Sequence, residues 1–357
     1  MSTRRGGKRA LFLGDPVEGD PRMLATPGHD QSAAGSAQSV LPNGASGVTV
    51  GLVSILIVNW NTRELVLSCL DSLPEAVGGS SREVIVVDNG SIDGSADALE
   101  KRHEITLIRN SRNLGYAAAV NQAYRRSTGD FVLLLNSDVD LTPDALRALT
   151  HFLVEHPAAA GVAPLYVNPD GSPQPFHFRF PTFTTTLANG SMAVRRLHPG
   201  STRLLREYRM LDDDFSQPRP VPQPSASCLL LRRSFLPADH VFDERYPIFF
   251  NDVQLARSLA RRGLLLWVTP NATVIHEAHA STRMLGTTGT RQYLASLIRM
   301  LEETEPSRNV WLYRLVVFLQ HVPIWILRPS TTLGPMQLWK ALSGEVGPLP
   351  SSPKAPS

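Results

Sequence analysis

The strongest constraint on this chain is an alternation repeated four times in its first half: a short apolar run, a polar loop, then a helical stretch. Ser54-Ile-Leu-Ile-Val58 is followed by Asn59-Trp-Asn-Thr62 and a helical pattern over 63–73. Glu83-Val-Ile-Val-Val-Asp88 leads into the turn-rich Asn89-Gly-Ser-Ile-Asp-Gly94, with Ser95 placed to cap a helix at Ala96. A third unit has its strand over 105–108 and, past Asn110 to Gly115, a helix ending near Ser127. In the fourth, Phe131-Val-Leu-Leu-Leu135 precedes Asn136-Ser-Asp-Val-Asp140 and a helix with Thr142 as cap and Pro143 at its first position. Strands apolar on both faces and separated by helices predict an α/β fold: a mostly parallel sheet flanked by helices. Such sheets bind ligands at the carboxyl ends of their strands, where Asn59, Asp88, Asn113 and Asp138 fall.

Composition narrows the class further. At 357 residues, 42% hydrophobic and 19% charged, the chain is globular, and a net charge of +3 is too mild to argue for a nucleic-acid partner. Cys69 and Cys228 lack the paired spacing of a zinc site or disulfide framework, so a reducing cytoplasm is the simpler location and both thiols are expected in the core. Residues 1–47 are rich in Gly, Pro and Ser, with Phe12 their one aromatic; they are expected to form a disordered leader. A signal peptide is not expected, because Leu11-Phe-Leu13 stops at Gly14-Asp15-Pro16. Val310–Leu327 comes near a membrane span but is broken by Arg314, Gln320, His321 and Pro323. The organisation expected is an α/β domain over 48–289, a C-terminal helical region over 290–342 and a disordered tail over 343–357.

The loop after the first strand has no glycine, which excludes a Gly-x-Gly-x-x-Gly dinucleotide site, and no Gly-x-x-x-x-Gly-Lys-Ser/Thr phosphate loop occurs. Where glycine-rich backbone is missing, a divalent ion on carboxylates is the usual way to neutralise a pyrophosphate. Asp138, Asp140 or both could hold it.

Four segments then occur in order: Val53 to Asn61, Val84 to Ser95, Asn110 to Asn121, and Phe131 to Asp138. Further pieces follow in Cys228-Leu-Leu-Leu-Arg-Arg233, Phe242-Asp-Glu-Arg-Tyr246, Phe249-Phe-Asn-Asp-Val-Gln-Leu255 and Val274-Ile-His276. As an ordered set they resemble the family-2 glycosyltransferases, especially the rhamnosyltransferase-like branch. The resemblance implies a GT-A fold and inverting transfer of a sugar, such as rhamnose, from a nucleoside diphosphate to an acceptor hydroxyl in cell-envelope polysaccharide or glycolipid assembly.

It also implies roles. Asp252 matches the family's general base, with Asn251 where a glutamate is usual; Asp252 also stands where an ordinary helix cap would. Asp138 matches the last, metal-contacting acid of the Asp-x-Asp motif, here Asn136-Ser137-Asp138, and Asp140 ranks below it. His276 matches a histidine that completes a Mn2+ or Mg2+ site in several relatives. Asp88 would accept from the N3–H of uracil or thymine, favouring UDP or dTDP donors, while Val58, Asn59 and Asn61 hug the nucleotide. Arg112, Asn113 and Gly115 resemble a loop near the ribose and sugar, and Asn136 and Ser137 are expected with them to bind the nucleotide sugar. Trp60 and Tyr116 stand at strand ends, where an aromatic more often packs than stacks.

The Pro-rich stretch between Tyr166 and Ala226 is a candidate acceptor loop or lid. Its Arg195, Arg196, Arg203, Arg206 and Arg209 suit an acceptor pyrophosphate, or a solvated basic face. Arginines and tryptophans along 290–328 fit peripheral contact with the inner face of the plasma membrane and a lipid-linked acceptor; packing on the α/β domain or in a homodimer is the plainer alternative. Two rival functions stay open: a sugar-nucleotide nucleotidyltransferase, and an inactive sugar-nucleotide binding protein, which the amides at Asn136 and Asn251 keep in play.

Overall fold

The computed structural model describes residues 51–76, 81–277, 282–327 and 332–350. The expected leader, 1–47, and residues 351–357 of the expected tail lie outside the described residues.

The four alternating units fold as their periodicity requires. Strands β1 (Val53–Asn59), β2 (Arg82–Asp88), β3 (Thr106–Arg109) and β4 (Phe131–Asn136) run parallel in the order β3-β2-β1-β4, with helices α1 (Arg63–Ala76), α2 (Ser95–Leu99) and α3 (Tyr116–Arg126) between them. Next come β5 (Val139–Leu141), α4 (Ala145–Glu155) and β6 (Ala159–Val167). The irregular connection holds β7 (Pro173–Gln174), β8 (His177–Phe178), α5 (Phe183–Gly190), α6 (Met192–Leu197), α7 (Ser201–Tyr208), β9 (Arg219–Val221) and β10 (Gln223–Pro224). It returns as β11 (Cys228–Arg232), which enters the sheet antiparallel between β4 and β6. Helix α8 (Asn251–Arg261) then leads to β12 (Leu265–His276), which pairs parallel with β6 and antiparallel with β5.

Successive strand residues face opposite sides, so each apolar run supplies two cores. On one face Ile55, Ile57, Leu133 and Leu135 pack with Val66, Leu70 and Leu73 of α1 and Leu146, Leu149 and Leu153 of α4. On the other, Leu56, Ile85, Val132 and Leu134 meet Val120 and Tyr124 of α3 and Leu255 and Leu259 of α8. Cys69 and Cys228 are free thiols fully buried in the first of these cores.

A third core is built by α9 (Gly286–Thr304), α10 (Ser307–Leu327) and α11 (Pro335–Leu342) around Tyr246, Leu297, Ile298 and Tyr313. Helix α10 contains Pro323 and, by length and composition alone, could cross a membrane. Val310, Tyr313, Val317 and His321 face inward, while Trp311, Leu315, Leu319 and Ile326 are exposed, as are Met336 and Trp339 of α11.

Three local expectations change. Ser95 does not cap α2: Asp93 accepts from its backbone N–H at 3.0 Å and from its hydroxyl, because the carboxylate reaches the first turn from two residues upstream. Thr142 does not cap α4, which begins at Ala145 behind a left-handed Asp144; the Thr142 hydroxyl donates instead to the Thr273 carbonyl of β12 at 2.6 Å. Residues 343–350 of the expected tail are fastened down: Gln292 donates to the Gly347 carbonyl at 2.6 Å, Arg291 pairs with Glu345, and Leu349 lies against Gly115.

Candidate active site

Asp138 sits in the tight turn between β4 and β5, and β5 holds it beside the end of β12. Val139 pairs with His276, and the Glu277 N–H donates to the Asp138 carbonyl at 2.9 Å, so the two side chains must be neighbours. His276 Nε2 lies 3.6 Å from Asp138 Oδ1, with the side chains 3% and 9% exposed. The imidazole meets the Phe176 ring edge-on at 4.7 Å, which fixes its plane.

Asp252 comes from a separate element, as the second residue of α8. The helix starts behind Phe250, a non-glycine residue held at φ 66°, a conformation that costs roughly 1–3 kcal/mol and is kept where the surroundings dictate it. Asn251 locks this corner: its amide donates to the Ile248 carbonyl at 2.9 Å and its oxygen accepts the Asp252 N–H at 2.8 Å. The residue that replaces the family's glutamate therefore serves as a turn lock. Asp252 Oδ1 accepts from the Val253 N–H at 2.8 Å and Oδ2 from Gln223 Nε2 at 3.2 Å. Burial pushes the Asp252 carboxyl above the ordinary carboxylate range, outweighing these donors.

Asp138, His276 and Asp252 line one cleft of about 320 Å³. Of the other expected residues, Val58, Asn113, Asn136 and Ser137 also line it. Trp60 and Tyr116 do too, and the indole N–H and the phenol are buried with no hydrogen-bond partner among the described residues. The Tyr116 phenol is pushed up by burial and by the negative charges of Asp252 and Asp138.

The remaining expected residues lie off the cleft wall, for specific reasons. Asn59 and Asp88 are register partners on β1 and β2; Asn59 Nδ2 donates to Asp88 Oδ2 at 3.0 Å, and the Ser91 N–H satisfies the other oxygen. With Asp88 1% exposed, its carboxylate ties the first two loops together. Asn61, at φ 55°, accepts the Ile92 N–H, tying the first loop to the second. Arg112 presents backbone to Gly90, and Gly115 packs against Pro247. Asp140, two residues beyond Asp138 on β5, accepts from the Ser68 hydroxyl at 2.9 Å and is no partner of the Asp138–His276 pair.

Wall residues that sequence reasoning did not single out are Asn89, Phe176, Ser225 to Ser227, Ile248 to Phe250 and Leu285. The run before Asp252 carried a signal, since its motif opens with Phe249-Phe250. Phe176 and Leu285 carried none, because only long-range packing brings them to the cleft.

Among the described residues no group of three or more His, Cys, Asp or Glu is gathered for a metal. Asp138 and His276 are a pair, and two bonds of about 2.1 Å, usual for such ligands, can span their separation. The donor set fits a divalent ion whose other positions are filled by substrate or water.

A buried carboxylate thus shares one cleft with an imidazole–carboxylate pair at the strand ends of an α/β sheet, the setting of a group-transfer enzyme. The family model for glycosyl transferase family 2 matches residues 54–236, just over half the chain, and the chain belongs to that family. It is 33% identical over 213 residues to the N-acetylglucosaminyl-diphospho-decaprenol L-rhamnosyltransferase of Mycobacterium tuberculosis, covering 56% of this chain and 68% of that protein. It is 26% identical over 100 residues to the dolichol-phosphate mannosyltransferase of Pyrococcus furiosus, covering 27% of this chain and 28% of that one. Among solved structures, GalNAc-T7 with UDP, GalNAc and Mn2+ superposes with a TM-score of 0.50 at 14% identity, over 71% of this chain and 48% of that chain. The protein is a glycosyltransferase of the GT-A fold, on the rhamnosyltransferase-like side of its family. Asp252 and His276 lie beyond the matched residues.

Proposed function

We propose that this glycosyltransferase moves a sugar, with inversion, from a UDP or dTDP donor to a hydroxyl of a glycan or lipid-linked acceptor in cell-envelope assembly. The observation that supports the reading is that Asp252, Asp138 and His276 line one cleft. Asp252 takes the acceptor proton while the acceptor oxygen bonds the anomeric carbon; the bond from that carbon to the diphosphate breaks, and its electrons leave with the nucleoside diphosphate. Gln223 and the Val253 N–H hold the base in place. Asp138 and His276 would hold Mn2+ or Mg2+, which when bound offsets charge on the leaving diphosphate. Tyr116 and Trp60 bring unpartnered donors to the same cleft, suited to sugar or phosphate oxygens.

The region 48–289 acts as the catalytic unit in this reading, on the cytoplasmic side, and 290–342 as an extension that rests on the membrane where a lipid-linked acceptor is presented. The exposed apolar side of α10 and α11, with Trp311 and Trp339, supports it, as does the diphospho-decaprenol in the name of the mycobacterial relative. The deciding experiment measures release of nucleoside diphosphate from UDP, dTDP and GDP sugars, with and without Mn2+. Acceptor-dependent release that needs the ion is expected; donor binding without turnover would instead make this a sugar-nucleotide binding protein.

A further inference from the structure

The hairpin joining β6 to β7 ends against His276 through a chain of hydrogen bonds in which each group decides the orientation of the next. Tyr166 pairs with Gln174 and Val167 with Pro173, and the tip between them turns at Gly171, φ 81°. At the tip Asp170 Oδ1 accepts from the Ser172 N–H at 2.9 Å and from the Ser172 hydroxyl at 2.6 Å. A hydroxyl has one proton to give, so Ser172 Oγ can only accept from Asn168, whose Nδ2 lies 2.9 Å away. That choice turns the Asn168 oxygen toward Gln174 Nε2, at 2.7 Å, and Gln174 Nε2 also faces the His276 carbonyl at 3.3 Å. With its NH2 so committed, the Gln174 oxygen faces His276 Nδ1 at 2.7 Å.

We propose that Gln174 is a positioning residue that fixes the proton of His276 on Nδ1, leaving the Nε2 lone pair aimed at Asp138 for a divalent cation. The amide oxygen can only accept, so Nδ1 must carry the hydrogen. The ring cannot swing away: His276 is 3% exposed, with Phe176 edge-on to it and Tyr166 at 5.8 Å. In the neutral ring Nε2 is then an acceptor, and it faces a carboxylate oxygen, another acceptor, at 3.6 Å. Two facing acceptors repel unless a cation lies between them. A hydrogen bond to the second imidazole nitrogen sets tautomer and basicity at metal sites generally.

The inference rests on the metal reading above, but its first test does not. In metal-free, full-length protein labelled with 15N-histidine, NMR couplings, with the His276 signal identified from His276→Gln, report which nitrogen is protonated. Wild type shows the proton on Nδ1, and Gln174→Met, similar in length but without the acceptor, loses that fixed pattern. Mn2+ titrated alone and followed by the free-ion EPR signal then binds about 10- to 100-fold more weakly to Gln174→Met, the usual effect of removing such a partner. Asn168→Ala, at the outer end of the chain, shifts both readouts the same way by a smaller factor and decides the matter if Gln174→Met fails to fold. A wild-type ring protonated on Nε2 alone overturns the proposal, as do unchanged tautomer and Mn2+ affinity in the folded variant. A wild type with the Nδ1 proton that binds no Mn2+ leaves the Gln174 assignment standing and removes the metal reading instead.

Discussion

The sharpest consequence of the site concerns Asp252→Asn. The carboxylate accepts from two groups, the Val253 N–H and Gln223 Nε2. An asparagine oxygen can keep the first. Its NH2 would meet the Gln223 NH2, but the Gln223 oxygen is buried and unpartnered, so a half-turn of that amide restores a hydrogen bond. The fold should therefore change by no more than about 1 kcal/mol, the worth of one hydrogen bond. Burial raises the carboxyl value in the folded state above the unfolded value of about 3.9, so the native state binds the proton more tightly. The corresponding stability cost is absent below the unfolded value and fully present above the raised one, and Asn removes it at neutral pH. Thermal stability at pH 7 should be equal or slightly higher. Catalysis loses its base: about 100- to 10,000-fold in kcat, or roughly 2.7–5.4 kcal/mol of barrier. The wild-type kcat/KM should fall as acid protonates Asp252, with that limb above the ordinary aspartate value. The assay is acceptor-dependent release of nucleoside diphosphate, with donor binding followed separately by calorimetry. Turnover within a few-fold of wild type, in a folded variant that binds donor, refutes the assignment of Asp252 as base.

Three further outcomes follow from the same geometry. Asp138→Asn should lower turnover by about 100-fold or more through lost charge stabilisation, whereas Asp140→Asn, which can still accept from Ser68, should stay within about threefold in the same assay; equal losses would contradict their separation. Gly115→Ala should destabilise by about 2 kcal/mol or more in a denaturant titration, because φ 94° with ψ 157° is nearly glycine-only and an added Cβ would lie 2.9 Å from the Pro247 carbonyl oxygen. The double variant Trp311→Glu with Leu319→Glu removes two exposed apolar groups from α10 and should abolish flotation with anionic vesicles while leaving soluble-acceptor turnover intact; unchanged flotation would rule out that face as the contact.

The parallel half of the fold was legible because β1, β2 and β4 are apolar on both faces, a pattern with few alternatives. The antiparallel entry of β11 was not, since Cys228-Leu-Leu-Leu has no periodicity that records its direction. Helix starts failed where an Asx turn or a left-handed residue did the work expected of a cap, as at Asp93 and Asp144. Asp138, His276 and Asp252 were singled out through ordered motifs, whereas spacing alone could not rank Asp138 above Asp140; their partners separate them, His276 beside Asp138 and Ser68 on Asp140. Asn59 and Asp88 end neighbouring strands, and their equal register, which makes them hydrogen-bond partners, was not legible in the sequence. Gln174 and Gln223 left no trace in the sequence, because their roles depend on which residue the sheet sets opposite them.

The three-residue β5 takes its strand pairing from β12, which leaves the ribosome more than a hundred residues later. Until that late arrival, Asp138 has no imidazole beside it. A growing or clipped chain that stops after the family-matched segment therefore lacks Asp252, His276 and the strand that pairs with β5.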